Sequence, residues 1–244
     1  MATLIVNTGG RGTIKASGAS GRGTTYDNVR ENSSFVTSTT NNPTSDDSNA
    51  ILYNKVSDGR GGSIWSFNRT YAHFDLSSLP AGATVTDVEL AITSSGADFD
   101  DGVYILSSSA FSNGTSTLAS SEYYTSINYA VPYATKITSW PASGNSALYT
   151  LNSDAVDDIQ DNNRLIIAFV DGYDYDDTDT GFLIAASRAG FEFSTGADVM
   201  QLKVTYTPAT TGDIASIDNV SFTNISKFDN VLKASISQIN GINA

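Results

Sequence analysis

Carboxylates dominate the residues in this chain that could do chemistry. The densest run is Asp171-Gly172-Tyr173-Asp174-Tyr175-Asp176-Asp177-Thr178-Asp179. Clustered carboxylates, with backbone carbonyls between them, are what a hard cation such as Ca2+ coordinates. Asp171, Asp174, Asp176, Asp177 and Asp179 are therefore candidate ligands of a structural calcium ion. The spacing is not that of an EF-hand: counted from Asp174, Thr178 stands at the fifth place and Ala185 where the closing glutamate belongs. Asp98, Asp100 and Asp101 form a second cluster of the same character. The reading favoured over a cation site is that either cluster is a solvated turn in an acidic protein.

Catalytic constellations are harder to assemble. His73 is the single histidine, no G-x-S-x-G surrounds a serine, and the chain has no cysteine. A serine triad and a zinc site both lack their parts. Glycoside hydrolysis needs two facing carboxylates, and Glu31, Glu89, Glu122 and Glu192 show no such pairing in sequence. We expect a protein that is not an enzyme. Aromatic faces complement sugar rings, so Tyr123, Tyr124 and Trp140 are the candidate residues for carbohydrate binding.

The elements that must position these groups read as strands. Over Tyr71–Asp75, Ala72 and Phe74 alternate with Tyr71, His73 and Asp75; after Leu79-Pro80-Ala81-Gly82 comes a second alternating run through Val85, Val88, Leu90 and Ile92. Further strands are expected at 3–6, 35–40, 50–56, 63–67, 134–140, 148–151, 182–186 and 200–206. A short helix is expected around Ala155–Gln160, capped by Ser153. Leu165–Val170 is the most apolar run, read as a central strand buried on both faces. The glycine-rich stretch 9–23 reads as an arm that orders against a neighbouring subunit.

The segment FDLSSLPAGATVTDVEL, residues 74–90, resembles the motif of DNRLRE-type domains, β-sandwiches related to carbohydrate-binding modules. The resemblance extends over roughly Asp27–Thr207. It implies an all-β, jelly-roll-like antiparallel sandwich, here with a repetitive C-terminal appendage. His73 stands where that motif usually has arginine, and the tryptophan-rich middle of many members is reduced to Trp140.

After a linker at 208–212 the composition changes. IASIDNVSFTN, ISKFDNVLKAS and ISQINGINA succeed one another, with Ile214, Ile225 and Ile236 eleven residues apart. Each copy repeats an apolar residue at Ile217, Phe228 or Ile239, a turn-forming pair, and then Val220, Val231 or Ile242. Turn formers and β-branched residues favour short hairpins over an eleven-residue helical coil. Units this small do not bury an apolar face alone, so these nine residues are the candidate assembly surface. The rhythm resembles terminal repeats in virion structural proteins of tailed bacteriophages. The expected organisation is an N-terminal strand and arm (1–23), a sandwich (24–207), the linker and the tail (213–244).

Net charge is −13, from 26 acidic and 13 basic residues. Such a surface repels nucleic acid and anionic membranes. The start of the chain lacks the basic head and apolar segment of a secretion signal. The combined expectation is a virion component: head decoration, fibre or tail attachment, assembled in a host cytoplasm. Its expected partners are other virion proteins and copies of itself, a trimer among the forms. The alternative is an adhesin or carbohydrate-binding module recognising a surface polysaccharide.

Overall fold

The structure, a computed structural model, describes all residues except 22, 44, 115–116, 193–199, 210–215, 218–219, 222–226, 229–230, 233–237, 240–241 and 244; side chains are described up to residue 209 apart from 113–114. Strands hold 54% of the chain and helices 15%, which makes it an all-β protein. Twelve strands join one large antiparallel sheet: β1 (Ala2–Asn7), β2 (Gly10–Ala19), β3 (Val36–Asn41), β4 (Asp47–Ser57), β5 (Ser63–Asp75), β6 (Thr84–Asp98), β7 (Val103–Ser108), β8 (Ile127–Pro132), β9 (Ser146–Thr150), β10 (Arg164–Asp171), β11 (Ile184–Phe191) and β12 (Met200–Thr207). The order β1-β12-β6-β11-β4-β5-β10-β7-β8, with β2, β3 and β9 branching off it, does not by itself make a jelly roll.

β6 carries the sheet from one layer to the other. Its first part pairs with β12, which pairs in turn with β1, while Ser94–Asp98 pairs with β11 across a register shift. The layers close on a core in which Val88, Leu90 and Ile92 of β6 and Leu202 and Val204 of β12 meet Ala72, Phe74, Ile105, Ile167 and Phe169. The second layer is buried on its other face as well. Trp65, Phe67, Tyr71, Ile166, Ala168 and Val170 pack under a cover that includes Tyr26 and Val29 of α1 (Tyr26–Glu31) and Phe111 of α2 (Ala110–Gly114). β10 is thus buried on both faces, as its unbroken apolar run predicts, with alternate residues feeding the two cores.

β5 is where the second layer divides. One of its edges is taken by β2 from Gly10↔His73 to Ala19↔Ile64. The opposite edge is shared, with β4 pairing Ser63–Asn68 and β10 pairing Thr70–Asp75. Arg69 is the residue at the handover.

The glycine-rich start differs from the arm expected. Residues 10–19 are a strand between β3 and β5, and the glycines allow close approach: a Cβ on Gly12 would stand 2.5 Å from the Thr40 carbonyl oxygen, and one on Gly18 2.7 Å from Val29. The expected strand over 134–140 is reduced to a single bridge between Ile137 and Val103. The helix expected near Ala155 is α3 (Ser153–Asn162), with Asn152 rather than Ser153 as its cap.

The tail forms three separate two-stranded hairpins: β13 (Ser216–Ile217) with β14 (Val220–Ser221), β15 (Lys227–Phe228) with β16 (Val231–Leu232), and β17 (Gln238–Ile239) with β18 (Ile242–Asn243). The innermost partners are Ile217↔Val220, Phe228↔Val231 and Ile239↔Ile242, so the repeat and the hairpin share one register. Ile214, Ile225 and Ile236 lie outside the described residues.

Candidate functional site

The two acidic clusters, some 70 residues apart in sequence, meet at the end of β10. Asp171 ends that strand and caps α4 (Gly172–Tyr175), accepting from the Tyr173 amide at 3.0 Å. Asp101 lies so close that a Cβ on Gly172 would stand 2.3 Å from its carboxylate. Lys136 bridges the clusters, 2.8 Å from Asp101 and 3.1 Å from Asp176.

Each carboxylate proposed as a calcium ligand has a protein partner of its own. Asp174 is 1% exposed and grips Arg69, itself 0% exposed, through both oxygens: 2.6 Å to Nε and 2.8 Å to Nη2. Arg30 of α1 joins at 3.2 Å, and Tyr129 donates its hydroxyl at 3.2 Å. Asp177 pairs with Arg30, and Asp176 with Lys136. Asp179 accepts from Lys55 at 2.7 Å and from the Trp65 indole at 3.0 Å. Among the described residues no three histidine, aspartate or glutamate side chains converge in a way that could hold a metal ion. The loop concentrates charge in sequence and disperses it in space.

The buried centre is an arginine clamp. The Arg69 guanidinium also donates to the carbonyls of Tyr123 (2.9 Å) and Arg30 (2.8 Å), and lies 4.0 Å from the Tyr123 ring centroid. Burial, the largest single effect, works against its charge, and Asp174 together with Tyr123 and Tyr129 outweighs it, holding Arg69 well above its ordinary pKa. The clamp ties together α1, β5, the 120–126 turn, β8 and α4. Arg69, Asp174, Tyr123 and Arg30 at its centre are buried.

Asp171 is a different case. It is 1% exposed and accepts from Ser187 of β11 at 2.6 Å, so it bridges the two branches that leave β5. Its companions are neutral donors, and burial pushes its pKa up to about 8, Asp174 and Asp101 adding to the rise.

The aromatic residues proposed for sugar binding do not form one platform. Tyr123 is buried, its face against Arg69 and its hydroxyl bonded to the Val29 carbonyl, so it has no face open to a sugar ring. Tyr124 is half-buried in the layer beside Arg30 and Tyr129. Trp140 packs on the other core, its indole donating to Gly190 at 3.2 Å and its ring stacked on Tyr149 at 6.0 Å. Sequence reasoning missed a row of half-buried rings: Tyr124 to Tyr129 (5.1 Å), Tyr129 to Tyr175 (6.4 Å) and Tyr175 to Tyr104 (3.8 Å). The row crosses three separate segments, so no local spacing announces it.

His73 is half-buried against Phe111, and burial lowers its pKa, with Asp75 acting in the opposite direction. Glu89 lies across from Lys203 and pairs with it at 2.5 Å. A polar cavity of about 120 Å3 opens beside α3, lined by Ser107, Tyr133, Asp158, Asn162 and Arg164, with the Tyr133 hydroxyl already donated to Asp158. No helix among the described residues is long and apolar enough to cross a membrane. Neither a family model nor a curated protein matches the chain.

Proposed function

We propose that this chain is a structural component of a virion, working through contacts between subunits rather than through catalysis. The observation that carries the reading is the tail. Three hairpins of two residues per strand repeat every eleven residues, each a sheet of its own. An isolated hairpin of this length is not stable in water, and three in series still need a surface that covers their apolar positions. Ile217, Val220, Phe228, Val231, Ile239 and Ile242 are the residues proposed to make that contact, with Ile214, Ile225 and Ile236 completing each repeat. The occupant is a copy of the chain or another particle protein, and the sandwich faces outward as the rigid body. The resemblance of the repeat to tailed-bacteriophage virion proteins supports the particle.

The test is association of the full chain. We expect light scattering to give an oligomer, and purified particles to contain the chain by mass spectrometry. A triple Ile217→Asp, Phe228→Asp, Ile239→Asp variant keeps the circular dichroism of the sandwich and loses the association that the tail makes. Absence of the chain from purified particles refutes the virion reading, and a full chain that associates no further than the tail variant refutes the tail contacts.

One observation favours a second reading, that of a polysaccharide-binding module: the row of half-buried tyrosines from Tyr124 to Tyr104. Pull-down with a host surface polysaccharide that is lost on Tyr124→Ala would support it. Retention that depends on Trp140 alone would move the site to the other layer.

A further inference from the structure

We propose that β1 is a self-complementary edge, through which two copies of this chain join their sheets about a two-fold axis at Ile5. β1 pairs with β12 on one side only, in unbroken register from Ala2↔Tyr206 to Asn7↔Gln201. Among the described residues no strand pairs with its other edge. A free edge of this kind offers unpaired backbone donors and acceptors, and proteins usually guard it with charge, proline or a bulge. β1 has none of these: its sequence is Ala-Thr-Leu-Ile-Val-Asn. Two of the other margins are guarded, and β9, uncharged like β1, is only five residues long and has its Tyr149 hydroxyl donated to the Ser139 carbonyl of the segment beside it at 3.3 Å. β8 ends in Pro132 after a register shift, and β3 has a register shift and an end tied by Asn41 to Leu118.

The sequence of the edge names the occupant. About a two-fold at Ile5, the antiparallel partners are Thr3 with Asn7, Leu4 with Val6, and Ile5 with itself. Residues opposite one another share a face. Leu4 and Val6 are half-buried against the sandwich core, so this pairing runs one core into the next. Ile5 is 62% exposed on the outer face and meets its own copy there. Small polar residues fall on small polar residues at both ends. Charge permits the approach as well. In a chain of net charge −13, the strand carries no charged side chain, and Lys203, the cross-strand neighbour of Ile5, is neutralised by Glu89. A partner of opposite charge has nothing to grip on this edge, and a second copy meets no repulsion along it.

The inference concerns the sandwich and stands whether or not the tail contacts hold. Its test uses the full chain, which has no cysteine, so an introduced thiol can be oxidised only to another molecule. Opposite residues in an antiparallel pair bring Cβ atoms to about 4.5–5.5 Å, close to the reach of a disulfide. Ile5→Cys is expected to cross-link to a dimer under mild oxidation, and Leu148→Cys, 56% exposed on β9 at the far margin of the same layer, is expected to stay uncross-linked. Ile5→Lys places like charges against each other, and is expected to abolish the β1 dimer while leaving the melting temperature of the sandwich unchanged. In a tail-substituted background the measured mass then falls from twice 25.7 kDa to that value. Equal cross-linking at 5 and 148, or a dimer that survives Ile5→Lys, overturns the proposal. Cross-linking at 5 in a chain absent from purified particles leaves this inference standing and removes the virion reading alone.

Discussion

Replacing Asp174 by alanine isolates the value of the arginine clamp. The substitution removes the carboxylate that meets Arg69 at 2.6 and 2.8 Å, Arg30 at 3.2 Å and the Tyr129 hydroxyl at 3.2 Å. Arg30 keeps the Asp174 carbonyl at 2.7 and 2.9 Å, together with Glu31 and Asp177. The loss therefore falls on Arg69, which is 0% exposed and left with two carbonyls and the Tyr123 ring. Leaving a buried charge without its partner costs about 3–5 kcal/mol, or a fall in Tm of roughly 6–20 °C for a chain of this size. Arg69→Met removes the charge that must be balanced and leaves Asp174 with Arg30, so its cost is smaller. The double variant should then be more stable than Asp174→Ala alone. Denaturant titration followed by fluorescence reads both cores, because Trp65 lies in one and Trp140 packs on the other. A cost below about 1 kcal/mol for Asp174→Ala, or a double variant no more stable than it, would show that the clamp does not hold the layers together.

Asp171 makes stability pH-dependent in the direction opposite to an ion-paired carboxylate. Its folded pKa is about 8, above its ordinary value of 3.8, so the folded state binds the extra proton between those values. Its contribution is full below pH 4 and declines by up to about 1.4 kcal/mol per unit as pH rises towards 8. Asp171→Asn keeps the cap on α4 and the Ser187 bond, and should flatten that slope when denaturant midpoints are compared from pH 5 to 8. Gly12→Ala drives a methyl against the Thr40 carbonyl and should cost about 1–3 kcal/mol by thermal melt, whereas Gly181→Ala, with nothing within 4 Å, should change little. Asn152→Ala removes the acceptor for the Asp154 and Ala155 amides and should cost about 1 kcal/mol in the same assay.

Alternation made the strands legible, and the apolar run of β10 revealed that both of its faces are covered. The covering layer was not legible. Its helices run four to six residues, shorter than the window in which a helical period shows. The alternation over 71–75 therefore separated Tyr71 and His73 from Ala72 and Phe74 without showing that a second core lies on their side, where Tyr71 is fully buried. The clamp did leave a trace. Arg69 shares the parity of Trp65, Phe67 and Tyr71, and an arginine on an aromatic face needs a buried counter-charge. Which aspartate supplies it depends on the α4 turn, which no spacing gives. Glycine misled at β2, where it marks crowding between strands and not slack. In the tail, the turn pairs and β-branched positions were enough to place all three hairpins.

The pairing of Ala2 with Tyr206 also sets a timetable for synthesis. β1 leaves the ribosome long before it can find its place, since β12 follows it by about 200 residues. At ~5–20 residues per second that interval is roughly 10–40 s, during which an uncharged ribbon waits without a neighbour. On a crowded message the nearest matching ribbon belongs to the adjacent nascent chain, so two molecules can meet before either has finished folding.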